Sequence, residues 1–383
     1  MSNAGLQVGD LSQFQKHLNQ VQSTVEETSI WNSNPVFKYL NTIYLTIDEK
    51  RRSLDLVNPG SIENISKEVT RDVFPSLYQF TGLKAEINKT FSMSPVFQTS
   101  HSFASGSEHL PKYAFSCAYI NDKLFAQSNV DNSLSVNGRI NYSWTPTSIS
   151  KLTLQMSGRA DQPNMYQLEH DYQGLDNSLN LKVLNPTLSD SNVFLGVGVA
   201  SVLQSVTKNL ALGVESVYSK SDPSQPADSG MSYYTKYTGS DKSWIFTGQL
   251  QSSGAMSATL FRKLSGNVEL GLESALKMSI QPVNHPVTGE PIGHLPVLEG
   301  LTTLGCKYEY RSSSFRGTLG TDGKVNVFAE RKILPTLGVL FSGEIDQFKG
   351  ESNVGFGIQF ETAGSHEIMM AQQGLDPNGN PLQ

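Results

Sequence analysis

One change of period organises this chain. From about residue 80 to 361 apolar residues recur at every second position, and no helical spacing interrupts them. Leu83, Ala85 and Ile87 alternate with Lys84, Glu86 and Asn88, and Val136, Gly138, Ile140 and Tyr142 alternate with Asn137, Arg139 and Asn141. Val268, Leu270, Leu272 and Leu276 flank Glu269 and Glu273, and Leu337, Val339, Phe341 and Ile345 flank Ser342 and Glu344. Val354, Phe356, Ile358 and Phe360 close the series. A strand patterned in this way has one apolar face and one wet face.

The extent of the pattern restricts what it can build. A spanning strand of roughly 10 residues and a turn of about 4 to 5 divide the region into about 19 strands. So many amphipathic strands, with no helix between them and no second apolar layer, do not make a sandwich. Closing the sheet on itself removes its edges. With the apolar face outward and the polar face inward, the closed sheet is an all-β transmembrane barrel with a wet lumen. Tyr119, Tyr142, Trp144, Tyr218, Tyr237 and Trp244 fall near strand ends, where aromatic side chains suit the two membrane interfaces. Tandem soluble β-domains give no reason for those positions.

Composition supports this by exclusion. No run approaches the roughly 18 apolar residues of a membrane-spanning helix. Lys and Arg total 29 against 35 Asp and Glu, a formal net charge of −6, which argues against sequence-independent binding of nucleic acid. Two cysteines, Cys117 and Cys306, cannot form a disulfide framework or a cysteine-rich zinc site. The first ten residues lack a basic stretch followed by an apolar one, so no secretory signal is expected.

Ahead of the barrel the spacing is helical. Leu11, Phe14, Leu18, Val21 and Val25 predict an amphipathic helix ending near Thr28, followed by the turn-prone stretch 31–35. Ile62, Ile65, Val69 and Val73 predict a second helix, capped by Ser61 and ended by Pro75. The chain therefore divides into an N-terminal extension (1–57), a helical lead-in (58–79), the barrel (80–361) and a polar tail (362–383). Turns are expected at Asn121-Asp122, Asp131-Asn132, Thr145-Pro146, Asn185-Pro186, Ser265-Gly266, Asp322-Gly323 and Lys349-Gly350, and longer loops over 221–230 and 281–300.

No enzyme or cofactor is indicated. Gly196-Val-Gly198 lacks the third glycine and the βαβ setting of a dinucleotide loop. The seven histidines show no ligand-like spacing, so no metal is expected. What stands out is the charge of the wet face. The alternation puts Glu86, Glu169, Asp171, Glu215, Glu269, Glu273, Glu309, Glu330, Glu344 and Asp346 there, with Lys84, Arg139, Lys151, Lys182 and Lys307 among them. Acidic patches on a low-dielectric wall favour cations and suit a basic substrate.

Several segments together resemble one family. They are Asn58-Pro59-Gly60, Phe74-Pro75, Gly82-Leu83-Lys84, 203–207 with 210–213, Lys236-Tyr237-Thr238 with Trp244, 331–335 and the terminal strand Asn353-Val-Gly355-Phe-Gly-Ile358-Gln-Phe360. The chain resembles the channel-forming subunit of the mitochondrial outer-membrane protein translocase, the TOM complex, within the eukaryotic porin superfamily. Its first ~50 residues and its tail look closer to fungal members than to animal ones. The resemblance implies a 19-stranded barrel whose first and last strands pair in parallel. It implies an inner helix within the lumen, here Ile62, Ile65 and Val69. It also implies passage of unfolded precursor proteins from the cytosol, with acidic lumenal patches for presequences. Asn353, Gly355, Ile358 and Phe360 match the family's β-signal, read by the sorting machinery. The implied partners are the central receptor and small TOM subunits, a second copy of the barrel and lipids. A voltage-dependent anion-type metabolite pore of the same superfamily is the alternative, and the acidic balance and the long N-terminal extension argue against it.

Overall fold

The computed structural model describes residues 51, 56–93, 95–107, 110–158, 163–188, 194–284, 291–334 and 336–362. The strands run β1 (Gly82–Met93), β2 (Val96–Ser105), β3 (Tyr113–Ile120), β4 (Leu124–Asp131), β5 (Val136–Thr145) and β6 (Ser148–Met156). They continue as β7 (Met165–Gln173), β8 (Asn177–Leu188), β9 (Phe194–Ser205), β10 (Leu210–Lys220), β11 (Asp228–Thr238), β12 (Trp244–Leu250) and β13 (Met256–Lys263). The series ends with β14 (Val268–Asn284), β15 (Pro291–Tyr310), β16 (Ser313–Gly320), β17 (Lys324–Leu334), β18 (Leu337–Asp346) and β19 (Glu351–Thr362).

Together they form one 19-stranded sheet in which each strand pairs with its neighbours in sequence. Those pairings are antiparallel, and β19 then joins β1 in parallel, from Gly82 opposite Gly355 to Lys89 opposite Thr362. An up-and-down meander of odd strand number leaves its first and last strands pointing the same way, so only a parallel seam can close it. Closure is needed because hydrocarbon cannot satisfy a free edge of N–H and C=O groups. Odd-numbered strands begin at one rim, here the first rim, and finish at the other, the second rim.

Residues directly opposite across a ladder share a face, so the register carries face identity round the whole sheet. On β9 Leu203 is fully buried while its neighbour Val202 is 44% exposed. Val202 lies opposite Val214, which lies opposite Tyr233, and all belong to a continuous exposed apolar face. Leu203 lies opposite Gly213 and Tyr234 on the wet face. The aromatic residues singled out above (Tyr119, Tyr142, Trp144, Tyr218, Tyr237 and Trp244) share the apolar face, with Tyr237 stacked on Trp244 at 5.1 Å and Tyr142 edge-on to Trp144 at 4.9 Å.

Three local expectations need correction. Asn185-Pro186 makes no turn between strands: Asn185 adopts φ 46° inside β8, where the register shifts between Leu184 and Thr187. Proline cannot donate to the ladder, and the bulge absorbs it. Most of 281–300 is not a loop either. β14 and β15 keep pairing past the last contacts with their outer neighbours, out to Asn284 opposite Pro291. The regular helix expected over 61–72 is instead a 3₁₀ turn at Ile62–Asn64 and a π-helical turn at Glu68–Val73. Ser61 makes no side-chain cap, and its Oγ accepts a bond from Asn64 Nδ2 at 3.0 Å. β-branched residues supply Ile62, Ile65, Val69, Thr70 and Val73, a composition with weak α-helical preference. The helix expected over 11–28 and most of the tail lie outside the described residues.

The register places Cys306 on the apolar face, opposite Leu270, and Thr303 on the wet face, opposite Glu273. In the membrane-inserted protein a water-soluble maleimide will label Thr303→Cys in a Cys306→Ser background and leave native Cys306 unmodified until the membrane is dissolved. Labelling of both in the intact membrane would contradict the face assignment.

Candidate substrate path on the wet face of the barrel

Every carboxylate proposed for the wet face lies there by register, and the cations named with them lie there too. The structure adds their partners. Glu86 pairs with Lys84 at 2.7 Å. Glu169 and Asp171 share Lys151, which is 2.8 Å from Glu169, and Asn180 Nδ2 donates to both carboxylates. Glu269 and Glu309 share Lys307 at 3.5 and 2.8 Å, with Lys263 3.7 Å from Glu269. Glu344 is 3.7 Å from Lys324.

The remaining carboxylates differ in kind. Glu215 Oε1 accepts from the Tyr234 hydroxyl at 3.1 Å, on the edge of a polar concavity of about 490 Å³ that also includes Asp228 and Gln249. Asp346 accepts the backbone N–H groups of Phe348 and Lys349 at 3.1 and 3.0 Å, so it holds the β18–β19 turn. Glu273 and Glu330 have no ion-pair or hydrogen-bond partner among the described residues. Two carboxylates share one lysine at Lys151, and with Glu273 and Glu330 lacking any partner among the described residues this wall stays acidic even where it is paired. The Lys151 cluster is shielded from solvent, with Glu169 and Asp171 each 7% exposed, whereas Glu309 and the Lys324–Glu344 pair are open. Exposed pairs of that second kind contribute about 0–1 kcal/mol each and are exchangeable contacts.

Residues 57–80 pack along the same face. At their start, Asn58 Nδ2 donates to Gly174 O at 2.6 Å and Asn177 O at 3.1 Å, and Ser205 Oγ donates to Val57 O at 2.7 Å. These acceptors and donors belong to the second rim, where β7 and β9 finish. Ile62 and Ile65 then pack with Leu203, Ala211 and Tyr234, and Val69, Val73 and Phe74 pack with Phe261 and Ile245. Phe80 packs with Phe328 and Leu340, and its N–H donates to Ser342 Oγ at 3.2 Å. Wall cations hold the polar edge: Lys182 to Glu63 at 3.0 Å, Lys236 to Glu68 at 3.7 Å and to Pro59 O at 3.3 Å, and Arg316 Nε to Asp72 O at 3.2 Å.

The wall is indented to receive this segment. A Cβ at Gly271 would sit 2.9 Å from Val69 Cγ1, and one at Gly305 would sit 2.5 Å from the Phe74 ring. Gly355 lies directly beneath Phe80 in the same way. A glycine on the wet face of a strand thus marks close approach by another stretch of chain. The reading from sequence missed these seats and the anchoring role of Lys182, Lys236 and Arg316. The available signal was Gly271, Gly305 and Gly355 interrupting the polar positions of otherwise regular strands.

On β19 the four terminal-strand residues split by face. Asn353 and Gly355 lie on the wet face, opposite Glu344 and Ser342, while Ile358 and Phe360 lie on the apolar face, opposite Val339 and Leu337. Across the seam Ile358 and Phe360 meet Ala85 and Ile87 of β1. Among the described residues no group of three or more His, Cys, Asp or Glu could hold a metal ion.

A closed barrel with an apolar exterior and a charged wet interior lining is the architecture of a membrane pore. Residues 58–357 match the eukaryotic porin family, and the chain belongs to it. Within that family it is TOM40-like. It is 54% identical over 366 residues to the mitochondrial import receptor subunit TOM40 of Saccharomyces cerevisiae, covering 96% of this chain and 94% of that protein. It is 33% identical over 361 residues to the tom40 subunit of Neurospora crassa, covering 94% and 99%. The human TOM40 homolog is 27% identical over 314 residues, covering 79% and 78%.

Gly305→Val will force Phe74 from its seat and cost about 1–3 kcal/mol of overpacking. Trypsin cleavage after Lys67 or Arg71 in folded, reconstituted protein should rise accordingly, while Gly317→Ala, on the apolar face, leaves it unchanged. Equal cleavage in both variants would show that residue 305 does not seat the segment.

Proposed function

We propose that this chain conducts unfolded precursor polypeptides across the mitochondrial outer membrane, as the channel of a protein translocase. The observation that carries the reading is the wet face, continuous round a closed barrel and lined by carboxylates that share too few cations. A presequence is a basic amphipathic helix. It can exchange with Lys307 for the exposed Glu309 and meet Glu273 and Glu330, which have no competing partner among the described residues. Several weak contacts suit conduction better than one tight site, because the substrate must leave as well as bind. The fungal relatives are named as import receptor subunits of mitochondria, which supports the same reading.

Residues 58–80 line the lumen in this account. Their start is bonded at the second rim, yet β1, which follows them, begins at the first. A segment bonded to the wet face that joins one rim to the other runs inside the barrel. It narrows the pore along β8–β16 and leaves open the polar concavity bordered by Glu215, Asp228 and Gln249. The terminal strand serves as the β-signal: Ile358 and Phe360 present the apolar edge that insertion machinery reads, and Gly355 keeps the space Phe80 needs once the barrel closes. Other translocase subunits and a second barrel associate with the apolar exterior.

In a planar bilayer the refolded chain should prefer cations, and a basic presequence peptide should block it. The block should weaken as ionic strength rises, since exposed pairs are screened within a Debye length of about 10 Å at 0.1 M. Glu273→Gln combined with Glu330→Gln should weaken the block several-fold with open-channel conductance largely retained. Anion preference together with indifference to the peptide would replace this reading with a metabolite pore.

A further inference from the structure

The apolar face has a charge rule of its own. Among the described strand residues no Asp or Glu lies on it, whereas Lys89, Lys220, Arg262 and Arg331 do. Lys220 sits at the first rim. The other three sit in the second halves of β1, β13 and β17, which all finish at the second rim. Arg262 lies opposite Trp244, itself stacked on Tyr237. Arg331 lies opposite Ser313, which lies opposite Tyr310. Arg311, in the turn between β15 and β16, extends over the Tyr310 ring at 5.3 Å.

None of Arg262, Arg311 and Arg331 has a carboxylate partner among the described residues, and all three are exposed. Arg311 also occupies φ 50°, a conformation for which Gly or Asn is the ordinary choice. Unpaired guanidinium groups beside Tyr and Trp, on a face that meets lipid, need a counter-charge at headgroup depth. A guanidinium fork with neighbouring hydroxyls matches a phosphate.

We propose that the outer surface of the second rim binds anionic phospholipid headgroups, at Arg311 and Arg331 with the hydroxyls of Ser313 and Tyr310, and at Arg262 beside Trp244. The barrel therefore carries a preference for an anionic leaflet at that rim. This rests on the membrane placement of the barrel and is independent of what passes through its lumen.

The test uses the full chain reconstituted in vesicles, with Trp31→Phe and Trp144→Phe leaving Trp244 as the single reporter. Quenching by brominated phosphatidylglycerol is compared with quenching by brominated phosphatidylcholine. A preference of about fivefold for the anionic lipid is expected, the equivalent of about 1 kcal/mol for one basic side chain near an anionic surface. It should fall with added salt, disappear in Arg262→Gln and persist in Arg262→Lys. A Phe315→Trp reporter, with Trp244→Phe added, should show the same preference and lose it in Arg311→Gln/Arg331→Gln. Equal quenching by the two lipids at both reporters would overturn the proposal and leave an acidic protein segment as the counter-charge. A preference that survives the Gln variants would overturn the assignment to these arginines.

Discussion

Everything in this molecule follows from the requirement that a sheet in hydrocarbon leave no backbone edge unpaired. Hairpin after hairpin satisfies the inner strands, and one parallel ladder between β1 and β19 satisfies the last two. Parallel pairing is slightly less stable per residue than antiparallel pairing, so this seam is the place where the closed state depends most on side chains. Phe80, packed against Phe328 and Leu340 and lying over Gly355, braces the seam from the wet side. On the other side Ile358 and Phe360 meet Ala85 and Ile87.

Closure also fixes chemistry. Once the sheet has no edge, a period of two sends every second residue to lipid and every other one to water. Apolar residues and the outward basic groups near the second rim then belong to the bilayer problem, and the carboxylates to the lumen. Residues 57–80 join the two ends of that arrangement. They bury an apolar stripe on an otherwise polar wall, which works because glycine seats admit it and Lys182, Lys236 and Arg316 satisfy its polar groups.

The face of each carboxylate was legible in the sequence because the period is short and rarely interrupted. The bulge at Asn185 falls beyond Lys182 in β8 and so leaves Glu169, Asp171 and their neighbours in phase. The pairings were not legible, since Lys151 reaching both Glu169 and Asp171 depends on the register between β6 and β7. Register is set by turns and bulges across strands, which local alternation does not encode. The lead-in was read as a regular helix from its apolar spacing, yet Val69, Val73 and Phe74 meet fixed seats in β14 and β15, and the chain adopts a π turn at Glu68–Val73 after a 3₁₀ turn at Ile62–Asn64. The long hairpin of β14 and β15 was hidden by its prolines, of which Pro282, Pro291 and Pro296 lie in a ribbon beyond the main wall where a missing ladder bond is tolerated.

The proposed route for a polypeptide runs along the wet face of this barrel. A photo-activatable side chain placed at position 273, on the wet face of β14, or at the adjacent position 272, on its apolar face, tests this directly when a precursor is arrested in transit. Cross-links to the precursor from 273 and none from 272 are the predicted result. Cross-links from 272, or from neither position while the precursor is held, would contradict a path through the lumen.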